Sequence, residues 1–534
     1  MRECRVLTGG GQRPARLTAP SADRMDIEWS RRLSVLGRNT SVVDLGDERR
    51  NRRLPLLVDE MVRHPGGTLP EKLPRPADQE AFYRLCDADD VTHAAVLKAH
   101  RARTLQMLQT TQKFLLVLHD ATSLDYSTRE TLVKLGQIGD GNGRGYVMQN
   151  SLVVDPQGGE VLGLANQILH TRADVPDNEG VAARRDRESR ESLLWLQGTA
   201  DLPARRQVVD VCDRGADTFE FLEYECKSQR TFVVRSKSNR SIKIGHDGAK
   251  GKALLHNYAR TLPAQISDVE VSVKYSPEML RKIRAARASR KTRKQTSLPR
   301  RGKGKRRSPG ITTSRVARLS VSAAAVQLTA PHVHRGNHGS ESLPVWIVRV
   351  WEPNPPEGCE PLEWLLLTNH PIETVKDAQR VRGWYEWRWV VEEYHKALKT
   401  GCGIERLQQH AESRLEPAIA VLSVIALLLL QLRDAARRPD ADRRSARELF
   451  DTDYINILSV WLHHRPQPNW TIHQFYVALG RLGGYRPRKN GPPPGWQVLW
   501  RGWTKMQTML DGARTIRRLD AFKSAKSARK CAKK

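Results

Sequence analysis

The sequence predicts a multidomain α/β protein in which helical regions flank a sheet-containing centre. Apolar runs of strand length occur at residues 113–120, 147–154, 160–169 and 207–213, whereas residues 385–400 have the composition of a helix. The length of 534 residues exceeds what a single hydrophobic core supports, and 39% hydrophobic content is sufficient to build two to four domains.

The charge balance predicts a polyanionic partner. Lys and Arg outnumber Asp and Glu by 89 to 59, which gives a formal net charge of +30. A basic chain of this kind favours DNA or RNA, because each neutralised phosphate releases a condensed counterion. The most apolar run, residues 418–430, is too short to span a bilayer and is closely followed by Arg433. We therefore expect a soluble cytoplasmic protein that binds nucleic acid and no membrane.

The cysteines predict neither a disulfide framework nor a zinc site. The chain has seven of them, with no CxxC pair and no regular spacing. We expect free thiols.

The amino-terminal region divides at Met25. Residues 1–24 are rich in Arg, Gly and Pro and have no periodicity, so we expect them to be disordered or to precede the true start. Residues 25–105 have helical composition with a basic stretch at residues 45–54, and predict a small helical domain.

Two buried strands are predicted to end in carboxylates. The run at residues 113–120 (KFLLVLHD) ends in Asp120, and the strands at residues 147–154 and 160–169 would complete an antiparallel set of three. Residues 207–213 (QVVDVCD) repeat the pattern and end in Asp213. Both acids are candidate site residues.

Residues 236–370 interrupt the α/β pattern with further strand-like runs and a basic stretch. Residues 281–307 contain 14 Lys or Arg and no acid, with Gly, Ser and Pro among them. This composition predicts a flexible arm that contacts phosphate.

A helix is predicted from Tyr385 to Gly401, because no Pro or Gly interrupts the sequence before Gly401. At about 100° per residue, its polar residues fall within an arc of roughly 60°. They are Tyr385, Arg388, Glu392 and Lys399. Trp384, Trp387, Val391, Tyr394 and Leu398 lie on the other side. An ordinary amphipathic surface helix would show the same pattern.

The carboxyl-terminal part is predicted to be helical. Residues 416–433 are nearly all apolar and predict a buried helix. Residues 436–534 predict a further helical domain with a basic tail.

Three motifs resemble those of the IS-four family of bacterial insertion-sequence transposases. The helix has the spacing Y-x2-R-x3-E-x6-K, Asp120 begins a D-x-T-S-L-x-Y motif, and Asp213 lies in CDRGADTFEFL. The resemblance implies a ribonuclease-H-like catalytic domain at residues 106–235 and 371–435, interrupted by the insertion at 236–370. It also implies that residues 25–105 bind the transposon end and that residues 436–534 mediate dimerisation.

The resemblance implies a role for each site residue. Asp120, Asp213 and Glu392 would be the catalytic acids and the ligands of two Mg²⁺ ions, which Mn²⁺ could replace. Hard oxygen donors of this kind suit such cations. The DNA contacts would come from Tyr385, Arg388, Lys399, Arg235 and Trp364, with Trp364 stacking on a flipped base.

The implied activity is cut-and-paste transposition in bacteria. The enzyme would nick double-stranded DNA at transposon ends, form and open a hairpin, and join the ends to target DNA as a homodimer. Two alternatives remain open on the sequence alone. A ribonuclease-H-like nuclease or resolvase could use the same acids without transposing, and a domesticated regulator could bind DNA without catalysis.

Overall fold

A computed structural model gives the fold of the chain. It describes residues 6–7, 44–175, 178–180, 183, 186–245, 251–274, 278–282, 285, 314–331, 339–357, 359–467, 469–488 and 493–531. Most of residues 1–24 and most of the basic stretch at 281–307 lie outside this set, so the predictions of a disordered start and a flexible arm fall on residues that are not described.

The described α-helices are, in chain order, α1 Glu48–Arg63, α2 Leu69–Lys72, α3 Pro76–Cys86, α4 His93–Thr110, α5 Leu193–Ala200, α6 Phe219–Lys227, α7 Leu255–Thr261, α8 Val375–Glu386, α9 Trp389–Lys396, α10 Glu412–Arg437, α11 Thr452–His463, α12 Ile472–Leu482 and α13 Trp496–Cys531.

The described strands are β1 Val6–Leu7, β2 Leu115–Asp125, β3 Gly136–Ile138, β4 Gly143–Asp155, β5 Glu160–His170, β6 Val208–Cys212, β7 Thr231–Arg235, β8 Ser241–Ile244, β9 Lys252–Leu254, β10 Ile266–Lys274, β11 Ser314–Thr329, β12 Ser342–Trp351 and β13 Glu363–Thr368. The prediction of a mixed α/β protein is confirmed.

The chain forms two compact units. The first, called the central unit because most of its residues lie in the middle of the sequence, contains residues 1–16 and 204–389, and the second, called the outer unit because most of its residues come before or after 204–389 in the sequence, contains residues 17–203 and 390–534. Two of the three limits between these units, at residues 203/204 and 389/390, fall inside the region predicted as the catalytic domain.

The central unit contains a mixed sheet. Its strands are ordered β1-β10-β11-β12-β13-β7-β6, and β8 adds to β11 and carries β9. The neighbouring pairs from β1 to β7 are antiparallel, whereas β6 and β7 are parallel, with Val209 opposite Thr231. A parallel pair needs a crossover, which α6 supplies between β6 and β7.

The outer unit contains the antiparallel set predicted from the sequence. β4 pairs with β2 from Tyr146 to Val154, with β5 on its other side, and with the short strand β3. All three pairings are antiparallel, so this prediction is confirmed. Gly145 sits where a side chain would collide with the Leu124 carbonyl oxygen, because an added Cβ would come within 1.8 Å of it. The close approach of β2 and β4 therefore requires glycine at this position.

The helix α10 forms the core of the outer unit and packs against α4 and β5. It is long and apolar enough to cross a membrane, but 78% of its apolar window is buried inside the protein, as in the core helix of a soluble fold. Its charged residue Arg433 is buried in an ion pair with Asp434 and Glu393. The prediction of a buried helix here is confirmed.

The predicted continuous helix from Tyr385 to Gly401 is wrong. Helix α8 ends at Glu386, a turn occupies Trp387 and Arg388, and α9 begins at Trp389. A π-helix, Ala397–Gly401, then follows α9, with the Cys402 amide donating to the Ala397 carbonyl at 2.8 Å. Because neither the break nor the π-turn keeps 100° per residue, the single polar arc does not describe this segment.

Candidate active site

Asp120 lies at the point where β2 leaves the core of the outer unit. Residues 115–119 of the strand are buried, and Asp120 is the first half-exposed one. The strand continues to Asp125, so Asp120 ends the buried run and not the strand itself. Its carboxylate accepts a hydrogen bond from the Ala121 amide at 3.0 Å. A carboxylate in this position is held by a rigid element while remaining accessible.

Asp213 occupies the matching position in the central unit. It follows the fully buried strand β6, is half-exposed, and accepts a hydrogen bond from the Gly215 amide at 2.7 Å. The other acid of this motif, Asp210, is buried against Arg230 at 2.9 Å, and Arg230 also pairs with Glu225 at 3.0 Å. Asp210 is thus part of the core, which leaves Asp213 as the accessible acid of the pair.

Glu392 lies in the first turn of α9 and is half-exposed. The apolar side of this helix is buried as predicted, with Val391 and Tyr394 completely enclosed. Burial of these residues fixes the helix against its unit while the carboxylate side stays accessible.

Lys399 is held at the end of β2. Its ammonium group donates to the Ser123 carbonyl and lies 3.1 Å from Glu405, and Glu405 accepts from the Asp125 amide at 3.1 Å. The π-helix carrying Lys399 is therefore tied to the strand that carries Asp120. Glu405 was missed by the sequence analysis, which treated Lys399 as a DNA contact alone.

Arg235 ends β7 and is half-buried. Its guanidinium donates to the Glu363 carbonyl at 3.2 Å. The Glu363 side chain pairs with Arg260 at 2.8 Å and Arg349 at 2.9 Å. Burial opposes ionisation of Glu363, but hydrogen bonds from both arginines hold its pKa below the ordinary value. This corner of the central unit thus holds three arginines around one carboxylate.

Trp364, Tyr385 and Arg388 are more buried than the sequence indicated. Trp364 is 6% exposed and packs edge-on against Tyr385, with 5.4 Å between ring centroids. Arg388, at 8% exposed, is also buried. The expectation that Tyr385 and Arg388 lie on an open polar face of a helix is wrong, because the turn at Trp387–Arg388 redirects the chain. Their role in binding DNA stays a prediction.

The three predicted acids belong to different units, Asp213 to the central unit and Asp120 and Glu392 to the outer unit. Among the described residues, no group of three or more His, Cys, Asp or Glu side chains is placed to hold a metal ion. The chemistry of the donor set nevertheless fits one, since three half-exposed carboxylates supply the oxygen ligands that hard divalent cations prefer. The described cysteines Cys86, Cys212, Cys226, Cys359 and Cys402 are free thiols, as predicted.

A cationic cavity of about 430 Å³ lies in the outer unit. Arg129 and Arg406 line it, and neither forms an ion pair with a described carboxylate. Gln409 also faces it, and its side chain is 2% exposed with an amide nitrogen that has no hydrogen-bond partner among the described residues. Thr68 and Tyr83 also line it. Unpaired guanidinium groups beside an unsatisfied amide suit an anionic, hydrogen-bonding ligand such as a phosphodiester.

Accessible carboxylates at the ends of buried runs, in a chain of net charge +30, fit the class of metal-dependent enzymes that act on nucleic acid. Comparison with known families agrees. Residues 35–91 match the family described as transposase DNA-binding, and residues 112–429 match the transposase DDE domain. The second match covers more than half of the chain, which therefore belongs to the DDE transposase family. The protein is a DNA transposase, and the prediction of a DDE transposase is confirmed.

Proposed function

We propose that the chain is a cut-and-paste transposase of the IS-four type, similar to the Tn-five transposase. It would bind the inverted repeats at transposon ends, release them through a hairpin intermediate and join them to target DNA. The observation that carries the proposal is the placement of Asp120 and Asp213, each the first accessible residue after a buried strand run, inside the region that matches the DDE domain.

Asp120, Asp213 and Glu392 would hold two Mg²⁺ ions, with Mn²⁺ as a substitute. When bound, such ions lower the barrier to in-line displacement at phosphorus by stabilising the attacking and leaving oxygens. The chain's own contribution is to keep the carboxylates oriented, through the hydrogen bonds that Asp120 and Asp213 accept from the Ala121 and Gly215 amides.

The DNA would be gripped by basic and aromatic side chains of both units. Lys399 is half-exposed at the end of the strand of Asp120, which suits a contact to the phosphate at the cleaved end. Arg388, Arg235, Tyr385 and Trp364 would contribute the remaining contacts. The cavity lined by Arg129 and Arg406 supports a further phosphate contact, because it joins residues of the DNA-binding match to residues of the DDE match.

The assembly would be a homodimer on paired ends, acting in the bacterial cytoplasm on the nucleoid. Two ends must be cut and joined together, and a dimer provides one catalytic unit for each end. The helical region at residues 436–534 is the proposed dimer contact.

The test is a cleavage assay with the inverted repeats that flank the gene. Purified protein with labelled end duplex and Mg²⁺ should produce nicks, then hairpins, then joined products when target DNA is added. Chelator should abolish all three, and Ca²⁺ should support binding without cleavage.

A nuclease that cuts without joining is the second candidate. The burial of Trp364 favours it, because an enclosed tryptophan is the ordinary state of a core residue and leaves no face for a flipped base. Nicks without hairpins or joined products under the same conditions would select this candidate.

A further inference from the structure

A row of buried polar side chains crosses the outer unit beneath the helix of Glu392. We propose that His93, Gln167, Asn150 and His395, named here the buried relay, position α9 and so hold Glu392 in place. None of these residues was a predicted site residue. The inference rests on the proposed function only in treating Glu392 as a metal-binding catalytic acid.

The relay is continuous. His93 lies 2.9 Å from the Gln167 side-chain oxygen, the Gln167 amide nitrogen lies 2.7 Å from the Asn150 side-chain oxygen, and the Asn150 amide nitrogen lies 3.0 Å from His395 Nε2. All four side chains are buried. Its members belong to α4, β5, β4 and α9 in turn. Four separate elements are thus joined through hydrogen bonds between buried side chains.

The direction of these hydrogen bonds is determined by a carbonyl group. The Asn150 amide nitrogen also donates to the Met148 carbonyl at 3.3 Å, and a carbonyl can only accept. The nitrogen of Asn150 therefore faces His395, and His395 Nε2 accepts from it. Gln167 then donates to Asn150 and accepts from His93, which carries its proton on Nε2. The three hydrogen bonds that link the relay thus each pair a donor with an acceptor, and satisfied pairs of this kind let a buried polar network specify one arrangement.

The relay runs from α9, which carries Glu392, to β4, which pairs with the strand that carries Asp120. Asn150 lies directly opposite Asp120 across the β2–β4 pair, and opposite residues of an antiparallel pair share a face of the sheet. His395 lies three residues after Glu392 on α9, and residues at this spacing are neighbours on a helix surface. Tyr394 adds an anchor, since its hydroxyl donates to the Ser423 carbonyl of α10 at 3.2 Å.

The shortness of α9 explains the need for a polar anchor. The helix has eight residues, begins after the turn at Trp387–Arg388 and passes into the π-helix at Ala397. The apolar contacts of Val391 and Tyr394 hold this short helix against its unit, and a directional hydrogen bond at His395 adds a constraint on its rotation about its own axis. A small rotation would displace the Glu392 carboxylate, and metal ligands tolerate little displacement.

The experiment compares Asn150→Leu with Gln149→Leu. Asn150→Leu replaces both hydrogen-bonding groups of Asn150 by methyl groups and keeps the branching of the side chain. Gln149 is the matched control, since it is the neighbouring buried residue of β4, on the opposite face of the sheet, and neither polar atom of its side chain has a partner among the described residues. We expect Asn150→Leu to lower the cleavage rate at saturating end DNA by about tenfold to a hundredfold, with end affinity unchanged. Gln149→Leu should keep the wild-type rate.

A second pair of variants tests the acceptor on His395. His395→Gln keeps an oxygen that can accept from Asn150, whereas His395→Phe keeps a ring and loses the acceptor. Cleavage should fall in the Phe variant and recover in large part in the Gln variant. Cleavage kept in the Phe variant and lost in the Gln variant would show that the site needs only a packed ring and would overturn the proposal.

Mn²⁺ binding gives a readout that does not depend on cleavage. Mn²⁺ is titrated into the full chain and its binding is followed by electron paramagnetic resonance. Asn150→Leu and His395→Phe should bind Mn²⁺ at least about tenfold more weakly than the wild-type protein, whereas Gln149→Leu should bind it with unchanged affinity. Should the wild-type protein cleave no DNA end, the proposed function fails while this measurement still decides on the relay. Unchanged Mn²⁺ affinity in Asn150→Leu would overturn it.

Discussion

At the scale of single residues, neutralising the three acids separates chemistry from binding. Asp120→Asn, Asp213→Asn and Glu392→Gln each remove a charge with little change in shape. We expect the cleavage rate to fall by more than about a hundredfold in each variant. Loss of a metal ligand should lower the rate more than loss of a residue that only positions a ligand. End binding should persist in a gel shift, because the DNA-binding match ends at residue 91.

The matched control is Asp125→Asn, an exposed acid five residues further along the strand of Asp120, whose carboxylate binds Ser127. It should cleave normally. Normal cleavage by any of the three test variants would remove that residue from the site.

A substitution at Trp364 distinguishes the two candidate functions, the transposase and the nuclease. A stacked base gains about 1 to 3 kcal/mol, so Trp364→Ala should reduce the ratio of hairpins to nicks by about tenfold if the ring stacks on DNA. This ratio does not depend on the fraction of folded protein, which makes it a clean measure for a residue that is 6% exposed.

Trp364→Phe serves as the control that keeps an aromatic core. A purely structural tryptophan would give an unchanged ratio in the Ala variant together with a loss of about 3 to 5 kcal/mol in the free energy of unfolding. That outcome would favour the nuclease.

At the scale of elements, the contact between α2 and the π-helix predicts a dependence of stability on pH. Lys72 at the end of α2 is 2% exposed, and its ammonium donates to the Cys402 carbonyl at 3.0 Å. Burial lowers the pKa of Lys72 from 10.5 to about 8. The folded protein therefore releases this proton more easily than the unfolded chain.

The sign follows from linkage. The contribution of Lys72 to the free energy of unfolding is lowest below pH 8, where Lys72 is protonated in both the folded and the unfolded state. It rises as pH increases from about 8 towards 10.5, because in this range only the folded state loses the proton. We expect a gain of about 2 kcal/mol in the free energy of unfolding between pH 7.5 and 9.5, relative to Lys72→Met. Urea denaturation of both proteins at the two pH values measures the difference. A pH-independent difference would contradict the burial of the charged amine.

The elements also show which parts of the site the sequence could predict. Asp120 and Asp213 were predictable because each ends a run of apolar residues, and burial follows such runs directly. The break between the helices at Trp387–Arg388 was not predictable from the sequence, since neither Pro nor Gly occupies these positions and the turn depends on packing from distant parts of the chain. The buried relay was hidden for a related reason, because its contacts join residues 74 and 245 positions apart.

At the scale of the whole molecule, the net charge of +30 and the basic stretch at residues 281–307 predict strong non-specific attraction to DNA. Deleting this stretch should weaken binding to all sequences and flatten its dependence on salt, because contacts to phosphate read no bases. Binding of an end duplex and of an unrelated duplex, measured across a salt series, provides the test.

The ratio of the two affinities should survive the deletion. If end recognition is lost while the salt slope stays the same, the stretch reads bases, and its assignment as a phosphate-binding arm is wrong.

The outer unit is closed by its first and last helices. The Trp503 indole of α13 donates to the Val62 carbonyl of α1 at 3.0 Å, and His64 lies 3.1 Å from Asp511. Val62 and Trp503 are 441 positions apart in the chain. At about 5 to 20 residues per second, synthesis of the intervening segment takes roughly 20 to 90 s. During that interval the segment of the DNA-binding match is synthesised without the helix that will cover it, and its apolar residues are open to chaperones and proteases until α13 has been made.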